Sequence, residues 1–229
     1  MRRTIGVLIV WACAATVAYA ASGDTGLTLK AGTPGIGVDL TVGLSDRVNV
    51  RLSGNAFSYT YDDYEFDEED VGADVVASVD KVEATLDLMT LGAFLDWHPG
   101  GGGFRLSAGA FYNGNEGSLT VTAGDTVIIN GEEYELQRLD GVIDFNTFAP
   151  YVGIGWGNAA QADSHWHFAL DLGVLVQGSP KVMLSATSTD PFLQASLNSN
   201  LAQEEEEIEE DLDPFVLYPV LTLGASYTF

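Results

Sequence analysis

Along most of its length the chain alternates apolar and polar residues with a period of two. From Ile36 the sequence reads IGVDLTVGL, setting Ile36, Val38, Leu40, Val42 and Leu44 against Gly37, Asp39, Thr41 and Gly43. Such alternation marks a strand with one apolar face. Val48, Val50, Leu52 and Ala56 likewise oppose Asn49, Arg51, Ser53 and Asn55. Phe104, Leu106, Ala108, Ala110 and Tyr112 oppose Arg105, Ser107, Gly109, Phe111 and Asn113. Val152, Ile154 and Trp156 stand against Tyr151, Gly153 and Gly155, and Trp166 to Val176 alternates against His167, Ala169, Asp171, Gly173 and Gln177. Between Val82 and Trp97 the apolar set passes from even to odd positions near Met89, which predicts a bulge. No long helical pattern competes.

Seven strands are expected, at roughly 35–45, 47–61, 82–97, 104–114, 142–157, 166–177 and 216–229. The first runs into a short turn, so an eighth must precede it, and Ala21 to Ala31 supplies one. Thr33-Pro34-Gly35-Ile36 then reads as a type II turn, with Pro second and Gly third. An even count is what a bacterial outer-membrane barrel needs, because both of its ends lie in the periplasm.

Alternation alone does not say which face meets lipid. A soluble secreted ligand-binding barrel puts its apolar face inside, and a membrane barrel puts it outside. The connections favour the second. Ser45–Arg47, His98–Gly103 and Asn158–His165 are short, while Asp62–Lys81, Gly114–Gly141 and Gly178–Phe215 are long, and the two kinds alternate as periplasmic turns and outer loops do. Trp97, Trp156 and Trp166, with Phe104, flank the short turns; Phe57, Tyr59, Tyr61, Tyr112, Phe148 and Tyr218 lie toward the long loops. Two aromatic belts at opposite strand ends suit the two interfaces of a membrane.

The N-terminal residues fit the same compartment. Met1-Arg2-Arg3, an apolar run from Ile5 to Ala15 and the small residues of Ala18-Tyr19-Ala20 predict a secretory signal peptide over 1–20, with the barrel domain at 21–229. Cys13 is the single cysteine of the chain, and it falls in that leader, so disulfides and cysteine metal sites are excluded from the mature protein. Formal net charge is -24. Roughly half of the acidic residues fall in two stretches, Asp62 to Asp80 and Glu204 to Asp213, so the acidity belongs to loops. It argues against nucleic acid, whose phosphates need Lys and Arg.

The stretches KAGTPGIGVDLTVGLSDRVNVR, DWHPGGGGFRLSAGAFYN, APYVGIGWGN and YPVLTLGASYTF resemble a family of small outer-membrane barrel proteins of Gram-negative bacteria. The resemblance covers most of the mature chain and implies an all-β antiparallel transmembrane barrel in the outer membrane, with no catalytic residues to carry over. Thr222-x-Gly224-x-x-Tyr227-x-Phe229 is similar to the C-terminal assembly signal of such proteins, polar-x-Gly-x-x-aromatic-x-aromatic. The implied partners are outer-membrane lipid and lipopolysaccharide, and the barrel-assembly machinery during biogenesis.

An eight-stranded barrel has an interior filled by side chains. Asp39, Arg51, Asp87, Arg105 and Asp171 fall at inward positions, and buried charges must be paired. An internal network is expected in which the two arginines bridge the three aspartates. In the outer loops, Asn130-Gly131 predicts a type I′ hairpin. Leu193, Leu197, Leu201, Ile208 and Leu212 predict a short amphipathic helix covering the mouth. No cofactor or metal is implied: the clustered carboxylates lack EF-hand spacing. His98, His165 and His167 lie near the short turns, away from any outer rim, and the consecutive Asp163-Ser164-His165 cannot converge as a triad. A non-enzymatic structural or surface-interaction barrel is therefore expected, with a narrow pore or transporter for a small solute as the alternative.

Overall fold

The computed structural model describes residues 25–63, 79–123, 126–160 and 165–229; the predicted signal peptide lies outside them. Twelve strands form: β1 Thr25–Gly32, β2 Gly35–Ser45, β3 Val48–Asp63, β4 Val79–Trp97, β5 Phe104–Asn113, β6 Glu116–Ala123, β7 Thr126–Ile129, β8 Glu132–Asp144, β9 Phe148–Trp156, β10 Trp166–Val176, β11 Lys181–Ser188 and β12 Leu217–Thr228. One helix, α1 (Gln194–Asp211), and a 3-10 turn, Asp213–Val216, separate the last two. Eight strands close an antiparallel barrel in the order β1-β2-β3-β4-β5-β9-β10-β12, with β12 returning to β1. Thr25 to Leu44 is thus two strands. Gly32 faces Gly35 across Thr33-Pro34, one residue earlier than the expected turn, and Gly35 takes the positive φ of 99° that the sequence assigned to it.

The barrel is inverted relative to a soluble one. Asp39, Asn49, Arg51, Thr90, Asp96, Arg105, Asp171 and Thr222 are buried inside, while Leu29, Ile36, Leu95, Phe168, Leu172 and Leu223 are exposed outside. At one end, neighbouring strands carry Trp97, Phe104, Trp156, Trp166 and Tyr227 in a girdle, with edge-to-face contacts of 5.5 Å for Phe104–Trp156 and 5.2 Å for Trp166–Tyr227.

On one side the wall rises above the barrel. β4, β5, β9 and β10 are followed upward by β4 itself, β6, β8 and β11, and these pair in the same neighbour order, with β3 alongside. The segments expected as loops at 114–141 and 178–215 therefore hold three further wall strands, the β7–β8 hairpin and α1. The single strand expected over 142–157 is two, β8 and β9, broken at 145–147. At the hairpin tip Asn130 (φ 50°) and Gly131 (φ 76°) both adopt the left-handed region, as a type I′ turn requires.

The bulge expected at Met89 is absent. β3 and β4 pair without a shift from Val48–Trp97 to Asp63–Val82. What changes at Met89 is the environment of the two faces. Below it, even positions (Thr90, Asp96) look into the polar barrel and odd ones (Leu91, Leu95) look out. Above it, the inward face carries Val82, Ala84, Leu86 and Leu88, and the outward face carries Glu83, Thr85 and Asp87. β3 does the same: Asn49, Arg51, Ser53 and Asn55 line the barrel, and Phe57, Tyr59 and Tyr61 continue that inner face. These three aromatics therefore do not belong to an outward belt, which on this side rests on Tyr112 and Phe148. The upper wall is an amphipathic sheet with its apolar side inward, exposed at Phe57, Tyr59, Tyr61 and Leu86 and covered by α1 over β7, β8 and β11. Leu197 and Leu201 pack there on Val127, Ile129, Tyr134 and Leu136, beside Leu139, Leu184 and Ala186. The helix lies against β11 and β7, on the inner side of the wall.

Candidate functional site

Inward alternation on six barrel strands brings six charges together at mid-height. Arg51 on β3 grips Asp96 on β4 with two bonds, Nε to Oδ2 at 2.7 Å and Nη2 to Oδ1 at 3.2 Å, and reaches Asp39 on β2 at 3.1 Å. Its Nη2 also lies 3.4 Å from Asp171 on β10. Arg105 on β5 holds Asp171 at 2.7 Å and stands 3.8 Å from Asp96. Lys30 on β1 meets Asp39 at 2.7 Å and donates to Ser53 at 3.0 Å. Three cations thus face three carboxylates, and the cluster is neutral. Hydroxyls complete it: Ser107 donates to Asp96 at 2.6 Å and Thr222 to Asp171 at 3.1 Å. Paired in this way, groups that would be costly alone can be held out of water.

Both ends of the cluster are closed. Toward the tall wall, Phe94, Phe111 and Tyr151 meet edge-to-face at 4.9, 5.1 and 5.6 Å, with Ala149, Leu175 and Val220 around them. The Arg51 guanidinium lies 4.8 Å from the Phe94 ring centre, a cation–π contact joining plug to charges. Toward the girdle, Asn49 donates to Asn158 at 2.9 Å and lies 3.1 Å from His98 Nε2, while His98 Nδ1 lies 2.8 Å from the Gly102 carbonyl. The cavity beside the charges has a volume of about 10 Å³, room for one water at most. Glycines make the filling possible. A Cβ on Gly153 or Gly173 would meet the Tyr151 hydroxyl, and one on Gly155 would stand 2.8 Å from Arg105 Nε. The glycine-rich Gly153-x-Gly155 is thus a bed for two inward side chains.

Of the five residues expected in the network, Asp39, Arg51, Arg105 and Asp171 lie together and Asp87 does not. Asp87 is on the outer face of the upper wall, opposite Ser58 and Glu116. Postulating a bulge at Met89 had turned it inward. Lys30 and Asp96 take part instead. Both were legible, since Leu27 and Leu29, or Leu95 and Trp97, flank them on the outward face. The assembly-signal residues separate by role. Thr222 points inward; Gly224 lies where a Cβ would stand 2.5 Å from the Leu29 carbonyl oxygen; Tyr227 and Phe229 are outward with rings 5.4 Å apart. The Phe229 N–H donates to the Thr25 carbonyl at 2.9 Å, at the β12–β1 closure.

Among the described residues no group of three or more His, Cys, Asp or Glu side chains converges as metal ligands do. His165 Nδ1 lies 3.1 Å from the Thr228 carbonyl; Asp163 and Ser164 lie outside the described residues.

The fold has counterparts of known structure. The fold resembles that of CarO. Crystal structures of CarO2 and CarO from Acinetobacter baumannii superimpose with TM-scores of 0.56 and 0.55 at 22% identity, each match covering 90% of this chain and 98% of the other. No family model matches the chain, and no curated protein matches it by sequence. The likeness to CarO is one of fold, running over nearly the whole of both chains.

Proposed function

We propose that the protein is an integral barrel of the outer membrane of a Gram-negative bacterium, non-enzymatic, with a structural or surface-interaction role carried by the wall that rises outside the bilayer. The observation that carries this reading is the exchange of polarity at Met89. Below it the strands put apolar side chains outward and charges inward, the arrangement a barrel in lipid requires. Above it the same strands put polar side chains outward and apolar ones inward, on a face that α1 covers farther along the sheet, at β7, β8 and β11, the arrangement water requires on the outer side. Only a protein crossing from hydrocarbon into water needs both patterns in one unbroken strand. A soluble ligand-binding barrel would have Leu172 and Phe168 inside.

In this reading outer-membrane lipid covers the apolar band, lipopolysaccharide meets the outer face just above Tyr112 and Phe148, and the barrel-assembly machinery engages β12 through Tyr227 and Phe229. The described interior, plugged by Phe94, Phe111 and Tyr151 and bolted by ion pairs, lends nothing to a transport role. The test is labelling of single-cysteine variants in intact cells with a membrane-impermeant maleimide. Thr85→Cys and Ser118→Cys, on the outward face of the wall, should label; Leu172→Cys should not. Equal labelling of Leu172→Cys would exclude a lipid-facing barrel.

A further inference from the structure

The upper wall is an open sheet, and β11 is its edge. One side of β11 pairs with β8. On its other side the backbone is met by side chains of α1. The N–H groups of Val182, Leu184 and Ser188 donate to Glu209 Oε1 at 2.9 Å, Glu205 Oε1 at 2.6 Å and Gln194 Oε1 at 3.0 Å. Gln194 Nε2 donates in turn to the Ala186 carbonyl at 3.3 Å. These are the groups that a neighbouring strand would bond. The match has a geometric cause: four helical residues rise about 6 Å and two strand residues about 7 Å, so carboxylates one turn apart meet alternate amides. The helix stands in for a strand.

We propose that this edge of β11 is a self-association surface, shaped for the β11 of a second copy of the chain, and that α1 holds it closed. Three features point this way. From Val182 to Ser188 the strand reads VMLSATS, with no charge and no proline; edges that must not pair usually carry one or the other. The outer end of β3, by contrast, finishes on Asp62-Asp63. Past Lys181 at its first position, with Pro180 before it, the guard on β11 is the helix.

The C-terminal half of the helix, which carries Glu205 and Glu209, has no buried residue. Neither end of the helix has a side-chain cap and no basic residue stands in its last turn. Glu209 to Asp211 sit in the last turn, where the macrodipole disfavours anions. Only Leu197 and Leu201 of the helix are buried. Finally, β11 can pair with itself: antiparallel pairing about a two-fold axis at Ser185 sets Leu184 beside Ala186 and Val182 beside Ser188 of the copy and keeps the apolar face on one side, an isologous contact.

The experiment uses the full barrel in detergent, carrying Gln194→Ala, Glu205→Ala and Glu209→Ala. Light scattering should show a doubling of protein mass, and Ser185→Cys added to this background should give a disulfide-linked dimer. The Val182 and Leu184 amides should stay protected from exchange, now by the second copy. Glu205→Gln with Glu209→Gln, which keeps the acceptor oxygens, should remain monomeric. A triple-alanine variant that is monomeric, with Val182 and Leu184 amides exchanging fast, would show a bare edge that does not self-associate. One that is monomeric with unchanged protection would show that α1 is not the cover. Either result overturns the proposal, and neither bears on the membrane reading.

Discussion

Arg51 is the residue on which the barrel interior turns. Its guanidinium contacts Asp39, Asp96 and Asp171, carried on three different strands, so its loss leaves carboxylates facing one another. Arg51→Ala should cost about 3 kcal/mol or more of unfolding stability in detergent, the range for breaking a buried pair. Arg105→Ala should cost less, because Asp96 and Asp171 keep Arg51. Denaturant titration of both variants checks the order. Glycines are the second residue-scale control. Gly173→Ala pushes a methyl into the Tyr151 hydroxyl and should destabilise by ~1–3 kcal/mol through overpacking, and Tyr151→Phe should relieve part of that loss in the double variant. The cluster was legible because alternation names the inward positions. The wrong step at Met89 misplaced Asp87 alone; Asp96 is inward by the alternation of Leu95 and Trp97 whatever happens at Met89.

At the scale of elements, the barrel strands could be read from the sequence and the wall strands could not. β2, β5 and β10 keep one polarity throughout, and a period of two finds them. β6, β8 and β11 lie above the level where the polarity exchanges, so measured against the barrel pattern they look like loops. α1 was found from its leucine spacing, but that spacing did not show that Glu205 and Glu209 accept from β11 and Glu204 from the Asn130 N–H. The helix is also tied by Glu132, whose carboxylate accepts from Tyr134 at 2.7 Å, Ser196 at 2.8 Å and Asn200 at 3.2 Å. The Tyr134 hydroxyl, then Ser196, hold its pKa below the ordinary glutamate value. A carboxyl lowered in the folded state stabilises above its unfolded pKa, and that contribution fades as pH falls through the lowered one. Amide exchange in α1 should therefore be faster in Glu132→Gln than in the wild type at neutral pH. The gap should close in acid, below the ordinary glutamate range.

For the whole molecule, the two faces of the barrel make opposite demands. Leu172→Arg, on the outward band, should lower membrane insertion by ~2–4 kcal/mol if it lies near the midplane, read as reduced yield of heat-modifiable barrel. Phe229→Asp should leave the chain unassembled, because it puts a charge in the girdle where β12 closes on β1. The exchange of polarity at Met89 has a further effect. A strand that is uniformly amphipathic can slide along the bilayer normal by two residues and bury much the same groups. β4 cannot: raising it puts Leu91 in water on its outer face, and lowering it puts Asp87 and Thr85 in hydrocarbon. β3, paired with it residue for residue, is under the same constraint. In the outer-membrane reading proposed above, the pair would act as a depth gauge, fixing how far the molecule stands out of the bilayer and so the height of its upper wall.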